Sequence, residues 1–497
     1  MFSQRTVIRD GRVSPFGPRC RQTRQRLFSC EQGRSVAHRN DELAAVIAET
    51  GWSQPVVAAA VVRVAAEAGV DELLTVKRSH VAMWVAGTRP RGRAADILRE
   101  TLSRRLGRPV TLAEIGLARS TSDTVTGSEW DTDTLTTLVD LGRNSMDRER
   151  RRLLTGAAVY SVGGLVLPRD PWWDEAPERA RSRAIDPHRR IGETEVRAVR
   201  EMTEFFARRD QRHGGVDGRT ALYQYIVDDV ARYVSGVFSS EKSRRSLYSA
   251  AAEAVYVAGW MSFDASQHES ARRYFSLALK LAAEADDAPL AGHILRAMAH
   301  QAIDLGHTTA ALNLATASVE RKRYSHATPR ERALIGVVRA RALAVDGQKG
   351  NAIAAIHRAE TDLGQAVAGD DEPQRVWFFQ EASLAHETAR TLWALGDLDG
   401  ALRQFRASVR HRRSDSFSRT HAVTLGYMGT VQAGQGNIDA ACQTWSRALD
   451  AMDGVQSGRT REAALTMRTT LSPFRNRGIP SASEVDERAR VALRRVI

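Results

Sequence analysis

Residues Gly259–Ala278, GWMSFDASQHESARRYFSLA, hold the frame that decides the fold. Ala271 lies five residues after Ser266, four before Phe275 and seven before Ala278. The same frame recurs around Ala311, Ala352, Ala401 and Ala441, at intervals of 40, 41, 49 and 40 residues. Five residues before these alanines stand Gly306, Gly347, Gly396 and Gly436. Four after come Ala315, Ile356, Phe405 and Trp445; seven after come Ser318, Ala359, Ser408 and Ala448. Small, large, small at i, i+4 and i+7 is one face of a 3.6-residue period. A residue free to take positive φ ends the helix before it. Each unit is therefore two antiparallel helices, and no such hairpin buries its apolar face alone. The units must stack into an α-solenoid.

That frame resembles the tetratricopeptide repeat. The family's small first-helix residue falls on Gly259, Ala299, Ala340, Ala389 and Gly429. The spacing exceeds the family's 34, and the largest gap holds the polar stretch from Ala368 to Pro373. In the family, the first helix of each unit lines a concave groove. Counted from the frame, the inward places hold Tyr256, Trp260 and Phe263, then His293, Arg296 and His300, then Arg341, then His386, Arg390 and Trp393. The fifth unit offers only Gly426, Thr430 and Ala433. An aromatic start followed by His and Arg suits an extended peptide or protein segment, guanidinium groups holding its carboxylates.

The chain has 497 residues, 42% apolar but only 6% aromatic, which suits an all-α protein of two or three domains. Its three cysteines, Cys20, Cys30 and Cys442, have no metal-ligand spacing and cannot pair fully. They point to a reducing, cytoplasmic setting with no metal. The +13 charge is uneven: nine arginines less Asp10 and Glu31 give residues 1–40 a balance of +7, leaving +6 for the rest. Residues 1–40 read as a disordered basic arm, or as sequence upstream of the true translation start.

Residues 41–117 read as a separate bundle of short helices. Leu43, Val46 and Ile47 give the first, and Ser53 with Pro55 opens the second, through about Ala66. Val76 to Val85 forms the next, with Gly87 as stop, and a further helix carries Ala95, Leu98, Leu102 and Leu106. Thr111 and Glu114 form a capping-box pair. This head resembles a helix-turn-helix of the phage-repressor (XRE) type, although about nine residues, Glu67 to Thr75, replace the usual short turn. The resemblance implies that Lys77, Arg78, Ser79 and His80 meet base edges in the major groove. Arg89, Arg91 and Arg93 would stand near phosphates, with Val81 and Trp84 packed beneath.

Residues 118–192 read as a linker rich in Ser, Thr, Asp and Gly. Inside it, Arg150-Arg151-Arg152 precedes the uncharged run Leu153–Leu167, which resembles a twin-arginine export signal. Its internal position argues against export. Fifteen residues fall short of the about 20 that a spanning helix needs, so a buried small-residue helix over 153–167 is expected and no membrane partner. Arg169 to Trp173 reads as loop. The solenoid is expected over 193–475, opened by an atypical capping hairpin, with a charged terminal helix over 476–497.

The whole resembles actinobacterial regulators that join an XRE-type head to a tetratricopeptide-like region, a group that includes negative regulators of sporulation and antibiotic production. The residues that carry it are Val81-Ala82-Met83-Trp84, Arg89-Pro90-Arg91-Gly92, Leu153-Leu154-Thr155-Gly156 and Ala258-Gly259-Trp260-Met261. It implies control of gene expression, with DNA as one partner, a groove ligand as another, and a homodimer where the site is palindromic. The alternative is an adaptor that uses both parts to contact proteins. The sequence shows no phosphate-cradling glycine motif, no zinc-binding histidine pair and no nucleophile elbow, so neither catalysis nor a cofactor is expected.

Overall fold

The computed structural model describes residues 39–67, 70–117, 130–150, 160–183, 186–367, 372–474 and 479–495. The arm up to residue 38 and the run 151–159 lie outside them. The described chain is helical apart from two short strands, and its helices fall into a head, a connecting region and a series of stacked hairpins.

The head comprises α1 (Asp41–Glu49), α2 (Gln54–Glu67), α3 (Arg78–Val85) and α4 (Ala94–Leu106). Leu43, Val57, Val61, Val81, Ile97, Leu98 and Ile115 share a core of their own. Asn40 stitches it together: its side chain caps α1 at the Leu43 N–H (2.9 Å) and donates to the Ile115 carbonyl (2.9 Å). Its own N–H meets the Val85 carbonyl at the end of α3. Thr111 and Glu114 do bond reciprocally, though over a turn and not a helix.

The connecting region is more ordered than its composition suggests. It holds α5 (Thr134–Arg150), α6 (Asp170–Arg181) and α7 (Glu193–His213), then α8 (Arg219–Tyr225), which runs through a π turn at Ile226–Val230 into α9 (Ala231–Val234). The expected linker thus contains a helix of 17 residues. Asp133 caps α5 through the Thr136 N–H (2.8 Å), and Thr134, Leu138, Leu141 and Ser145 bury one helical stripe. The expected loop at Arg169–Trp173 is the N-cap and first turn of α6, opened by Pro171, which is compatible with a helix start. Strand β1 (Asp186–Ile191) pairs in parallel with β2 (Gly236–Phe238).

Of the expected helix over 153–167, residues 153–159 lie outside the described residues. The remainder is not α-helical: Gly163–Leu165 forms a single 3-10 turn. Tyr160–Leu165 is a strap between head and solenoid. The Val162 N–H donates to Glu100 on α4 (2.7 Å) and the Ser161 N–H to Glu269 (2.9 Å), while the Tyr160 ring stacks on His307 with centroids 5.5 Å apart. Gly163 lets the strap press close: a Cβ there would come within 3.0 Å of Ser103.

The solenoid runs α10 (Glu241–Asp264) with α11 (His268–Glu284), then α12 (Ala288–Asp304) with α13 (Thr308–Ser318), followed by the short α14 (Lys322–Ser325). Next come α15 (Pro329–Val345) with α16 (Lys349–Gly364), α17 (Glu381–Ala394) with α18 (Leu398–His411), and α19 (Ser418–Gly434) with α20 (Ile438–Ala451). A sixth hairpin follows, α21 (Gly458–Leu471) with α22 (Pro480–Arg495). The expected separate terminal helix is the second arm of that hairpin, tied by Arg468 to Asp486 (2.9 Å).

The repeat frame is physical. Ser266, Gly306, Gly347, Gly396 and Gly436 all have positive φ, between 57° and 82°. The five frame alanines are fully buried. Gly259 and Gly429 lie flat against the Phe275 and Trp445 rings, the large residues of their own units. A Cβ at Gly259 would stand 2.7 Å from Phe275, and one at Gly429 would meet the Trp445 indole closer still.

Gly259→Ala and Gly429→Ala should therefore each overpack a seam, costing about 1–3 kcal/mol. Gly364→Ala, where a Cβ meets nothing within 4 Å, should be neutral or mildly stabilising. Thermal unfolding of the three variants checks the contrast.

Candidate functional site

The first helices of the units face inward, and what they present is largely buried charge. Asp304, at the end of α12, is held by three other units. Arg341 of α15 (2.8 Å) and Arg390 of α17 (3.0 Å) both reach its Oδ1, and Arg459 of α21 lies 4.0 Å from Oδ2. Arg341 also pairs with Glu387 of α17 at 2.8 Å. A second cluster centres on Arg375, in the stretch before α17. It forks onto Glu331 (2.7 and 3.0 Å) and reaches Glu253 of α10 (3.1 Å). A third is Arg419 of α19, bound to Asp264 of α10 (2.7 Å) and Asp210 of α7 (3.0 Å).

These contacts draw the ends of the array together. Arg419 joins the fifth hairpin to the first, and Ser266 Oγ donates to Glu462 of the sixth (2.8 Å). Residues His213 and Val216 exchange backbone hydrogen bonds with Gln456. The solenoid closes on itself, and its concave side is a filled ionic interior.

The inward residues read from the repeat frame divide accordingly. His293, Arg296, His300, Arg341 and His386 are all at least nine-tenths buried. Most of their polar atoms are bonded to one another or to other helices. Arginine can only donate, so His293 Nε2, 2.9 Å from Arg296 Nη2, must accept, which leaves Nδ1–H for Glu331 at 3.4 Å. His300 Nδ1 likewise accepts from Arg341 (3.2 Å), and its Nε2–H faces Asp304 at 3.4 Å. His386 bonds Thr424 of α19 (2.9 Å). Of the guanidinium groups expected to receive a ligand's carboxylates, Arg341 and Arg390 are already engaged by acids of other units, whereas Arg296 meets the Tyr256 hydroxyl (2.9 Å) and His293. What sequence reading missed was those acids. One signal was present: Asp264 and Asp304 hold the same place in the frame, seven residues before Ala271 and Ala311.

Burial and charge set the protonation of this interior. Burial, reinforced by Arg296, pushes His293 down to about 3; burial and Arg341 push His300 to about 4. Burial would raise Asp304 and Glu331, but the surrounding guanidinium groups outweigh it. Asp304 ends well below the usual carboxylate range and Glu331 at about 2. Asp210 goes the other way, up to about 7: burial dominates, and Asp264 offsets part of what Arg419 contributes.

Two cavities border the network. The larger, about 480 Å³, lies among α7, α10 and residues 372–378, with Tyr256 and Trp260 in its wall. The smaller, about 250 Å³, has Arg341, Arg390 and Trp393. In the head, Lys77, Arg78 and Ser79 are exposed at the start of α3, with Val81 and Trp84 buried behind them. His80 is half-buried, its Nδ1 accepting the Lys77 N–H (3.0 Å) to cap the helix. Arg89 and Arg91 are exposed and Arg93 half-buried.

In sequence comparison, the SP15 N-terminal domain family matches residues 43–118, so the head is similar to that domain over nearly its whole length. No curated protein matches the chain. Among the described residues, no single helix is long and apolar enough to cross a membrane.

Two outcomes follow from the buried charges. Arg341→Met leaves Glu387 without its guanidinium partner and should cost about 3–5 kcal/mol, read as a large drop in the unfolding midpoint. Separately, histidines with depressed folded values contribute stability that is complete above pH 6.5 and drains as pH falls through about 4. Asp210 opposes this between its ordinary value and about 7. His268, lowered to about 4, and His386 and His421, lowered by burial, act with them, while Glu100, Glu253 and Glu462, raised by burial, side with Asp210, so five imidazoles oppose four carboxyls. Calorimetry should show the midpoint falling from pH 6.5 to 4.

Proposed function

We propose that this chain regulates gene expression, its head binding DNA and its repeat array sensing a peptide or protein partner. The observation that carries the reading is the strap. A dedicated segment, Tyr160–Leu165, links α4 of the head to α11 of the array through buried charge, Glu100 on one side and Glu269 on the other. A loosely tethered module would need no such joint. The basic, exposed start of α3 supports the choice of DNA: Lys77, Arg78 and Ser79 stand at a helix N-terminus, where phage-repressor-like recognition helices present their base-reading side chains. Arg89 and Arg91, exposed after α3, suit phosphate contacts that position without specifying sequence.

Control then works by population shift: a ligand that favours one arrangement of the array biases the head through the strap. The resemblance to XRE-type regulators of sporulation and antibiotic production points the same way, and such a role belongs to the cytoplasm.

A gel-shift series with genomic fragments from the source cell, run across salt, tests the reading. The intact protein should give a specific complex. Arg78→Ala should weaken it selectively by about 1–3 kcal/mol, as expected for a lost base contact. Arg91→Ala should weaken all sequences alike and lower the salt slope by about one. Uniform weak binding that vanishes by physiological salt would overturn the regulator and leave an adaptor.

A further inference from the structure

We infer that the cavity among α7, α10 and residues 372–378 binds a primary ammonium group carried on an apolar body. The inference deepens the sensor reading and rests on it. At about 480 Å³ the cavity is of a size for a small organic ligand or a peptide end. Glu204, Asp210, Glu253, Asp287 and Glu372 line it against two cations, Arg200 and Arg375. Arg375 is not available to an anion, because Glu331 and Glu253 already occupy its guanidinium. Tyr256, Trp260, Trp377 and Phe378 supply aromatic wall, which suits a cation's apolar carrier and the cation itself.

Two buried atoms lack hydrogen-bond partners there. Asp210, 2% exposed, binds Arg419 through Oδ2, while its Oδ1 has none. The Trp260 Nε1–H likewise has none. A buried acceptor left unmade is costly, so a donor is required at Asp210 and an acceptor at Trp260. The groups facing Asp210 are Arg419 of α19, Asp264 of α10 and Arg459 of α21. Arg419 is shared between two carboxylates and leaves Asp210 Oδ1 without a donor, so a cationic donor would complete its contacts. An ammonium supplies the donor; a carbonyl close to it supplies the acceptor. Both are found together at the amino terminus of a peptide, whereas a free amine offers only the first.

Calorimetric titration of the full chain with four probes decides the matter: phenethylamine, phenylalanyl-glycine amide, its N-acetylated form, and phenylacetate. The two ammonium probes should bind, and the acetylated and anionic ones should bind at least tenfold more weakly. If the dipeptide amide exceeds phenethylamine by about tenfold and Trp260→Phe removes that margin, the source is a peptide amino terminus; equal affinities assign a free amine. Phenethylamine affinity should rise about tenfold from pH 6 to pH 8 as Asp210 ionises, and Asp210→Asn should abolish that slope. Trp260→Phe keeps the ring and the Arg419 pair, so it remains informative where the Asp210 variant fails to fold. Equal binding of all four probes, or no ammonium binding at millimolar concentration, overturns the inference. Gel shift is read independently: an intact DNA complex without amine binding removes only this site, and amine binding without a DNA complex removes only the regulator.

Discussion

The closed shape of the solenoid depends on one carboxylate. Asp304 sits where the second, third, fourth and sixth hairpins converge, and arginines from three of them aim at it. Stacking of neighbours through small residues sets the order of a helical array, but it does not fix its curvature. Contacts between non-neighbouring units do. Arg419 adds the first-to-fifth link through Asp264, and Arg375 holds the insert before α17 against α10 and α15. Without these pairs the array would be an open superhelix with a solvated groove.

Charge is a costly filling for an interior, because each ion loses its hydration. An apolar interior of equal volume would stabilise the chain at least as well. What charge gives is specificity of closure: each guanidinium accepts only certain partners in certain places, so sliding one unit past another leaves buried charges unpaired. The same property makes the interior responsive. An apolar core barely notices a small ion, whereas a network in which Asp210 retains an unpartnered oxygen and Arg419 serves two acids can be rebalanced by one.

The order of the hairpins was legible in the sequence because it rests on backbone geometry and close approach. Positive φ at Ser266 and the four frame glycines, and glycine opposite Phe275 and Trp445, leave marks at fixed spacing. The inward positions were legible too, since 3.6-residue periodicity fixes which face a residue takes. Their state was not. Whether Arg341 meets solvent or Asp304 depends on curvature, which is set by residues 37 or more apart in the chain. Helix α5 was hidden for a different reason: its buried stripe includes Thr134 and Ser145, so an apolar count undervalues it. Asp133 as its cap was the signal that remained. The strap defied its own apolar run, because Gly163 and Gly164 serve close packing against Ser103 and Arg272 rather than helix formation.

The first hairpin is where interior and head communicate. Tyr256 of α10 forms cavity wall, and its ring stands 5.9 Å from Phe275 of α11. Phe275 is pinned against Gly259, which leaves the two helices no slack and makes them move as one body. At the start of α11, Glu269 accepts the Ser161 N–H, and Arg272 holds both Glu269 and the Gly164 carbonyl. The joint beyond that is thin: a few strap residues and Glu100, whose second oxygen is buried without a partner and whose carboxyl is raised by burial. In a series of stiff parts joined by a slender one, displacement concentrates at the slender one. A shift of α10 would therefore appear as a change at Glu100, the contact that sets how the head is held.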